Sequence, residues 1–259
     1  MDQTTIRKEN SVLKDLGIIG VIPARYASTR FPGKPLVDIA GKSMIQRVYE
    51  QALKARSLSK VVVATDDERI AEEVSRFGGT YILTSSSHQS GTDRCAEVIA
   101  KIPDFKVVIN IQGDEPFIDP AQIDLVASCF EQKDTQLATL IKPITTNGEL
   151  FNANSPKVVV NYSGEAIYFS RHPIPYLRNA EERDWINQYK YFKHIGIYGY
   201  RAETLKAITK IPPSGLEAAE SLEQLRWIEN GYKIRTRVTT LETLAIDTPE
   251  DLLKIQAID

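Results

Sequence analysis

GIIGVIPARYASTRFPGKPL, residues 17–36, decides how the chain is read. It opens as a short, β-branched, apolar run with the composition of a buried strand. In an α/β protein such a strand normally gives way to a tight turn and a helix. Here it enters a loop carrying Arg25, Arg30 and Lys34 and stiffened by Pro23, Pro32 and Pro35. Proline lowers the entropy of ordering such a loop, and ligands of open α/β sheets bind at the carboxyl ends of the strands. The stretch therefore predicts an anion position at the rim of a sheet. A solvated basic loop is the alternative that the local sequence leaves open.

Working outward, apolar runs alternate with segments of helical period. KVVVATD (60–66), TYILT (80–84) and KVVINIQGD (106–114) read as strands. SMIQRVYEQALKAR (43–56), ERIAEEVSRFG (68–78), TDRCAEVIAKI (92–102) and AQIDLVASCFEQ (121–132) read as helices. Short strands between helices of about twelve residues predict a mainly parallel sheet covered on both faces, a Rossmann-like α/β fold. Past residue 136 the rhythm changes. QLATLIKPI, KVVVN, AIYFS, IGIYGY (195–200) and KIRTRVTT are strand-like with little helix between them, and 171–193 is polar and irregular. GLEAAESLEQLRWIENG (215–231) predicts one amphipathic helix, and TPEDLLKIQAI a closing one. The expected organisation is a polar extension over 1–16 and a single elaborated domain over 17–259.

With 259 residues, 42% hydrophobic and 25% charged, the composition is that of an ordinary globular protein. A formal net charge of −2 gives no general attraction to nucleic acid or an acidic membrane, so an anion site must be a local cluster. No apolar run approaches the roughly 18 residues of a membrane span. The polar start lacks the apolar centre of a secretion signal. Cys95 and Cys129 show no metal-ligand spacing and read as buried thiols of a reducing compartment. A cytoplasmic protein is expected.

Two further polar clusters end strands. TDD (65–67) reads as a helix N-cap with acidic first-turn residues. QGDEP (112–116) sets Asp114 rigidly before a proline, which suits a divalent cation held by one or two carboxylates plus phosphate oxygens and water; an ordinary turn is the alternative. G-x-G-x-x-G is missing after the first strand and G-x-x-x-x-G-K-[ST] is missing throughout, so phosphate must be held by Arg and Lys side chains. That absence disfavours a Rossmann dehydrogenase and a P-loop kinase. HQSGTDR (88–94) places Ser90, Gly91 and Arg94 at a helix start, where Gly91 would let a flat base approach. Arg171 and Arg178 lie seven apart in the irregular segment, fit for a carboxylate. His194 beside a strand can be structural, and Glu220, Glu223 and Gln224 can be a solvated face. Asp247 precedes Thr248 and Pro249, which fit an N-cap and first helical residue.

These residues carry a resemblance. IPARYASTRFPGKPL, VVVATDD, HQSGTDR, VINIQGDEP, KVV, YFSR, KHIGIYGYR, LExxESLEQLR and IDTPEDL occur in the order found in the 3-deoxy-manno-octulosonate cytidylyltransferases, of the sugar nucleotidyltransferase superfamily. The resemblance runs from about Ile18 to the last helix. It implies Mg²⁺-dependent transfer of CMP from CTP to 3-deoxy-D-manno-octulosonate (Kdo), with release of pyrophosphate, for lipopolysaccharide synthesis. It implies that Arg25 and Lys34 hold the triphosphate, that Ala24, Ser90, Gly91, Arg94 and Gln112 surround the nucleotide, and that Asp114 and Asp247 bind Mg²⁺. On the sugar side it implies Arg171 and Arg178 at the carboxylate, with Gln112, His194, Tyr198, Glu223 and Gln224 around the hydroxyls. A homodimer through about 160–195 is implied as well. The chain departs from the family pattern at Ala245, where glycine is usual, which bears on the loop at Asp247. His172 receives no role. The alternatives are the same chemistry on 8-amino-Kdo or a sialic acid, and a non-catalytic nucleotide-binding protein.

Overall fold

The computed structural model describes residues 16–27, 31–242 and 244–256. Arg30, in the basic loop, lies outside the described residues. Strands β1 (Ile18–Ala24), β4 (Lys60–Thr65), β5 (Tyr81–Leu83) and β6 (Val107–Asn110) form the parallel half of the main sheet. β7 (Leu137–Pro143), β10 (Phe192–Arg201) and β11 (Ile234–Val238) extend it, giving the order β11-β7-β10-β6-β1-β4-β5. β10 is antiparallel to both β6 and β7. Its first half also meets β8 (Lys157–Val160), which pairs antiparallel with β9 (Ala166–Ser170). A small hairpin, β2 (Asp38–Ile39) and β3 (Lys42–Ser43), stands apart.

Strand alternation splits the core into two faces. Ile18 and Ile22 of β1 pack with α1 (Met44–Ala52), α2 (Glu68–Arg76) and α4 (Pro120–Ser128). Ile19 and Val21 face α3 (Gly91–Lys101) and two later helices, α7 (Ala202–Ile208) and α9 (Gln224–Glu229). Caps fix where the helices start: Ser43 begins α1, Asp67 begins α2 and Ser90 begins α3. Cys95 and Cys129 are buried and free, and burial pushes both thiols up.

Two expectations are corrected. The single helix over 215–231 is two: α8 (Gly215–Glu220) ends at Ser221, which takes left-handed backbone, before α9 begins. The irregular 171–193 segment is not wholly polar. It contains α6 (Trp185–Gln188), and Trp185 and Tyr191 bury with Ile144 and with Leu150 of α5 (Asn147–Leu150).

Candidate active site

Two neighbouring cavities open where β1 and β6 end. The larger, about 450 Å³, is lined by Pro23, Ala24, Arg25, Lys34, Arg94, Asp114 and Asp247 among others. The smaller, about 200 Å³, is lined by Thr92, Asn110, Gly196, Tyr198, Tyr200 and Glu223. Pro23, Gly91 and Gln112 line both, so the two cavities adjoin there.

The basic loop builds one side of the larger cavity. Gly33, at φ 73°, donates its N–H to the Tyr26 carbonyl at 2.9 Å and starts the 3-10 turn Lys34–Leu36. That closure folds Lys34 inward. Its Nζ donates to Asp114 Oδ2 at 2.8 Å and to Asp247 Oδ1 at 3.3 Å. Arg25 remains exposed on the same wall.

Asp114 owes its place to a close crossing of backbones. A Cβ on the preceding Gly113 would stand 2.8 Å from the Pro23 carbonyl oxygen, so only glycine lets the end of β6 approach β1. The Asp114 carbonyl accepts from the Ile246 N–H at 2.9 Å. Ile246 is itself buried against Ile39 and Met44. These contacts dock the segment carrying Asp247, and α10 (Pro249–Gln256) comes next. Thr248 and Asp251 cap it reciprocally, with Thr248 N to Asp251 Oδ2 at 3.2 Å and Asp251 N to Thr248 Oγ1 at 3.3 Å. Ala245 is exposed and not among the left-handed residues, so the departure from glycine costs no strain there.

Arg94 is only 1% exposed, its guanidinium 3.0 Å from Asp66 Oδ1 and 2.7 Å from Thr84 Oγ1. TDD thus divides: Asp67 caps α2 as expected, while Asp66 neutralises a buried cation. Ser90 does not line either cavity. Its hydroxyl accepts from Asp93 N–H at 3.1 Å in a capping box, leaving Gly91 as the part of HQSGTDR that faces both cavities.

In the smaller cavity the Thr92 hydroxyl donates to Glu223 Oε2 at 2.7 Å, and Arg226 Nη2 to Oε1 at 2.8 Å. Burial raises the Glu223 carboxyl, against which Thr92 and Arg226 act. The Tyr198 hydroxyl is buried there without a hydrogen-bond partner, and so is the amide nitrogen of Gln224, which lines neither cavity. A buried polar group left unmet at a cavity awaits a ligand or water. His194 lies behind this cavity. Part of it reaches solvent, but its ring packs on Phe169 at 5.2 Å and Tyr198 at 5.1 Å, and Nε2 meets Thr139 Oγ1 at 2.9 Å. Desolvation pushes its pKa down to about 3.

Arg171 and Arg178 line neither cavity. Arg178 is exposed, whereas the Arg171 guanidinium serves the carbonyls of Ala153, Glu220 and Ser221. Sequence reading passed over Asn110 and Tyr200, which line the smaller cavity. Asn110 carried a signal, a polar residue inside a buried apolar strand.

Over 238 residues the chain is 58% identical to the 3-deoxy-manno-octulosonate cytidylyltransferase of Bacteroides thetaiotaomicron, covering 90% of this chain and 94% of that protein. The chain belongs to the 3-deoxy-manno-octulosonate cytidylyltransferase family. The family member of Parabacteroides distasonis is 57% identical, covering 92% and 96%. A cytidylyltransferase family model matches residues 19–254. A solved CMP:2-keto-3-deoxy-manno-octonic acid synthetase complexed with CTP superposes with TM-score 0.87 at 44% identity, covering 93% of this chain and 98% of that one. A 4-diphosphocytidyl-2C-methyl-D-erythritol synthase from Anaerococcus prevotii, at 12% identity and TM-score 0.62, shares the fold alone. Together these bear out the expected family and its Rossmann-like, mainly parallel sheet.

Proposed function

We propose that the chain transfers CMP from CTP to the anomeric hydroxyl of Kdo, releasing pyrophosphate, for lipopolysaccharide synthesis. The observation that carries this is the pair of adjoining cavities, one lined by Arg25, Lys34 and two carboxylates, the other by Glu223, with Pro23, Gly91 and Gln112 lining both. The larger takes the nucleotide, with the backbone at Ala24 and Gly91 beside the base. Its neighbour takes the sugar acid, so the two reactants meet across Gln112.

The anomeric oxygen attacks the α-phosphorus, forming the new O–P bond as the bond to the departing pyrophosphate breaks. Little covalent work falls to the protein in phosphoryl-type transfers; positioning and charge stabilisation dominate. Arg25 and Lys34 bind the phosphate oxygens, and Tyr198, Glu223 and Gln224 orient the sugar hydroxyls, with His194 holding the ring of Tyr198. Arg178 is the exposed cation left to meet the sugar carboxylate, and Arg94 stiffens the nucleotide wall from behind. Ser90 acts through the capped end of α3.

The donor set at the junction fits Mg²⁺. Asp114 and Asp247 are hard oxygen donors, and both already converge on one cation, the Lys34 ammonium. When bound there, the metal would neutralise phosphate charge and acidify a coordinated hydroxyl.

No described helix is long and apolar enough to cross a membrane. The enzyme works in the cytoplasm, where CTP is made. It is a homodimer through about 160–195, supported by the exposure of Ile167 and Tyr176 there, which sedimentation will test. The function is tested by pyrophosphate release with CTP, Mg²⁺ and Kdo, 8-amino-Kdo or sialic acid. Release with Kdo is expected. Release with sialic acid alone overturns the substrate, and release with none favours a nucleotide-binding protein.

A further inference from the structure

The break between α8 and α9 is held from outside. Ser221, with φ 51° and ψ 49°, has a left-handed backbone that L-residues adopt against their own preference. No glycine or proline interrupts the surrounding ESLEQLR. The hydrogen bonds show what overrides the local tendency. Arg171 Nε donates to the Glu220 carbonyl at 2.7 Å, Nη2 to the Ser221 carbonyl at 3.1 Å and Nη1 to the Ala153 carbonyl at 3.0 Å. The Arg171 N–H and the Ser170 hydroxyl donate to the two Glu220 carboxylate oxygens, at 2.9 and 2.7 Å. The end of β9 thus grips both the main chain and the side chain of the last residue of α8.

Directly after the break the chain enters the sugar side of the site. Glu223 meets Thr92 and lines the smaller cavity, and Gln224 is 5% exposed with its amide nitrogen unmet. An unbroken helix would turn each of these by a different angle about the axis and carry Glu223 away from Thr92. We infer that Arg171 is a positioning residue that acts through the left-handed step at Ser221 to aim Glu223 into the sugar cavity, rather than a direct anchor of the sugar carboxylate. The fork is suited to this, since a planar guanidinium can serve three carbonyls in fixed directions and an ammonium cannot. The inference deepens the proposed function and rests on the smaller cavity taking the sugar acid.

The test compares Arg171→Lys, Ser221→Gly and the double variant. Kdo and its C1 amide serve as acceptors, with CTP and Mg²⁺. Arg171→Lys is expected to lower kcat/KM for Kdo by on the order of 10²-fold, as small misplacements of reacting groups do, with KM for CTP little changed. Ser221→Gly, which adopts the left-handed conformation without resistance, is expected to restore most of that loss. Arg171→Lys should also keep the wild-type preference for Kdo over the amide. Loss of that preference, or no rescue by glycine, would overturn the inference in favour of a direct carboxylate contact. Thermal midpoints separate this from failure of the substrate reading. If wild type turns over no sugar acid, Ser221→Gly must still raise the midpoint more in the Arg171→Lys background than in wild type. Equal increments in both would overturn the inference.

Discussion

Lys34 Nζ and Asp114 Oδ2 stand 2.8 Å apart although 80 positions separate the residues in sequence. The pair joins the basic loop after β1 to the acidic tip after β6, and Asp247 meets the same ammonium at 3.3 Å. Asp114→Asn keeps the shape and removes the charge. Turnover should fall by at least about 10²-fold, the scale of losing one preorganised electrostatic group. The thermal midpoint should stay close to wild type, because Lys34 retains Asp247. Near-wild-type pyrophosphate release at saturating Mg²⁺ would remove Asp114 from the metal site.

Thr92→Val keeps the shape of the residue while deleting the donor to Glu223 Oε2. Burial already raises the Glu223 carboxyl, and the hydrogen bond from Thr92 is the strongest influence opposing it. Without Thr92 the carboxylate form is less stable still, so the acid limb of kcat/KM for Kdo should move to higher pH. KM for CTP should hardly change. A pH profile identical to wild type would show that Glu223 does not act as a carboxylate.

Gly113→Ala forces a Cβ against the Pro23 carbonyl, a backbone oxygen fixed where the end of β1 pairs with β4. Overpacking of this kind costs about 1–3 kcal/mol, measurable by urea unfolding. Because the next residue is Asp114, activity should fall further than stability alone explains. An alanine variant that is fully active and equally stable would contradict the close crossing of β1 and β6.

His194, held down to about 3 by desolvation, is neutral in the folded protein through most of the acid range. Unfolded, it protonates near 6.5. Its contribution to stability is therefore complete above about pH 6.5 and declines as pH falls from there toward 3, by up to about 1.4 kcal/mol per pH unit. His194→Gln should flatten the fall of unfolding free energy between pH 6.5 and 4. An unchanged slope would mean that the imidazole is not held neutral.

Much of this was legible in sequence, for physical reasons that differ by element. β1, β4 and β6 are continuous apolar runs, and buried parallel strands must look that way. Asp247, Thr248 and Pro249 announced a helix start because cap chemistry is local. Direction is not local: nothing in KHIGIYGYR tells that β10 runs antiparallel to its neighbours. Arg94 read as a first-turn residue near the nucleotide, and only the meeting of α3 with the end of β4 shows it buried against Asp66. The break at Ser221 lay beyond reach because ESLEQLR is good helix sequence and the grip comes from Arg171, 50 positions away. Short α7, whose Leu205 and Ile208 complete a core face, lacked the length for its period to show.

The shared lining of Pro23, Gly91 and Gln112 has a consequence for changing what the enzyme accepts. A substitution there reshapes both cavities at once, so under the proposed assignment of nucleotide and sugar a gain in acceptor range would come with a penalty in nucleotide use. Asn110, Gly196 and Tyr200 border the smaller cavity and not the larger. Libraries aimed at new sugar acids should therefore diversify those positions and leave the shared lining as it stands.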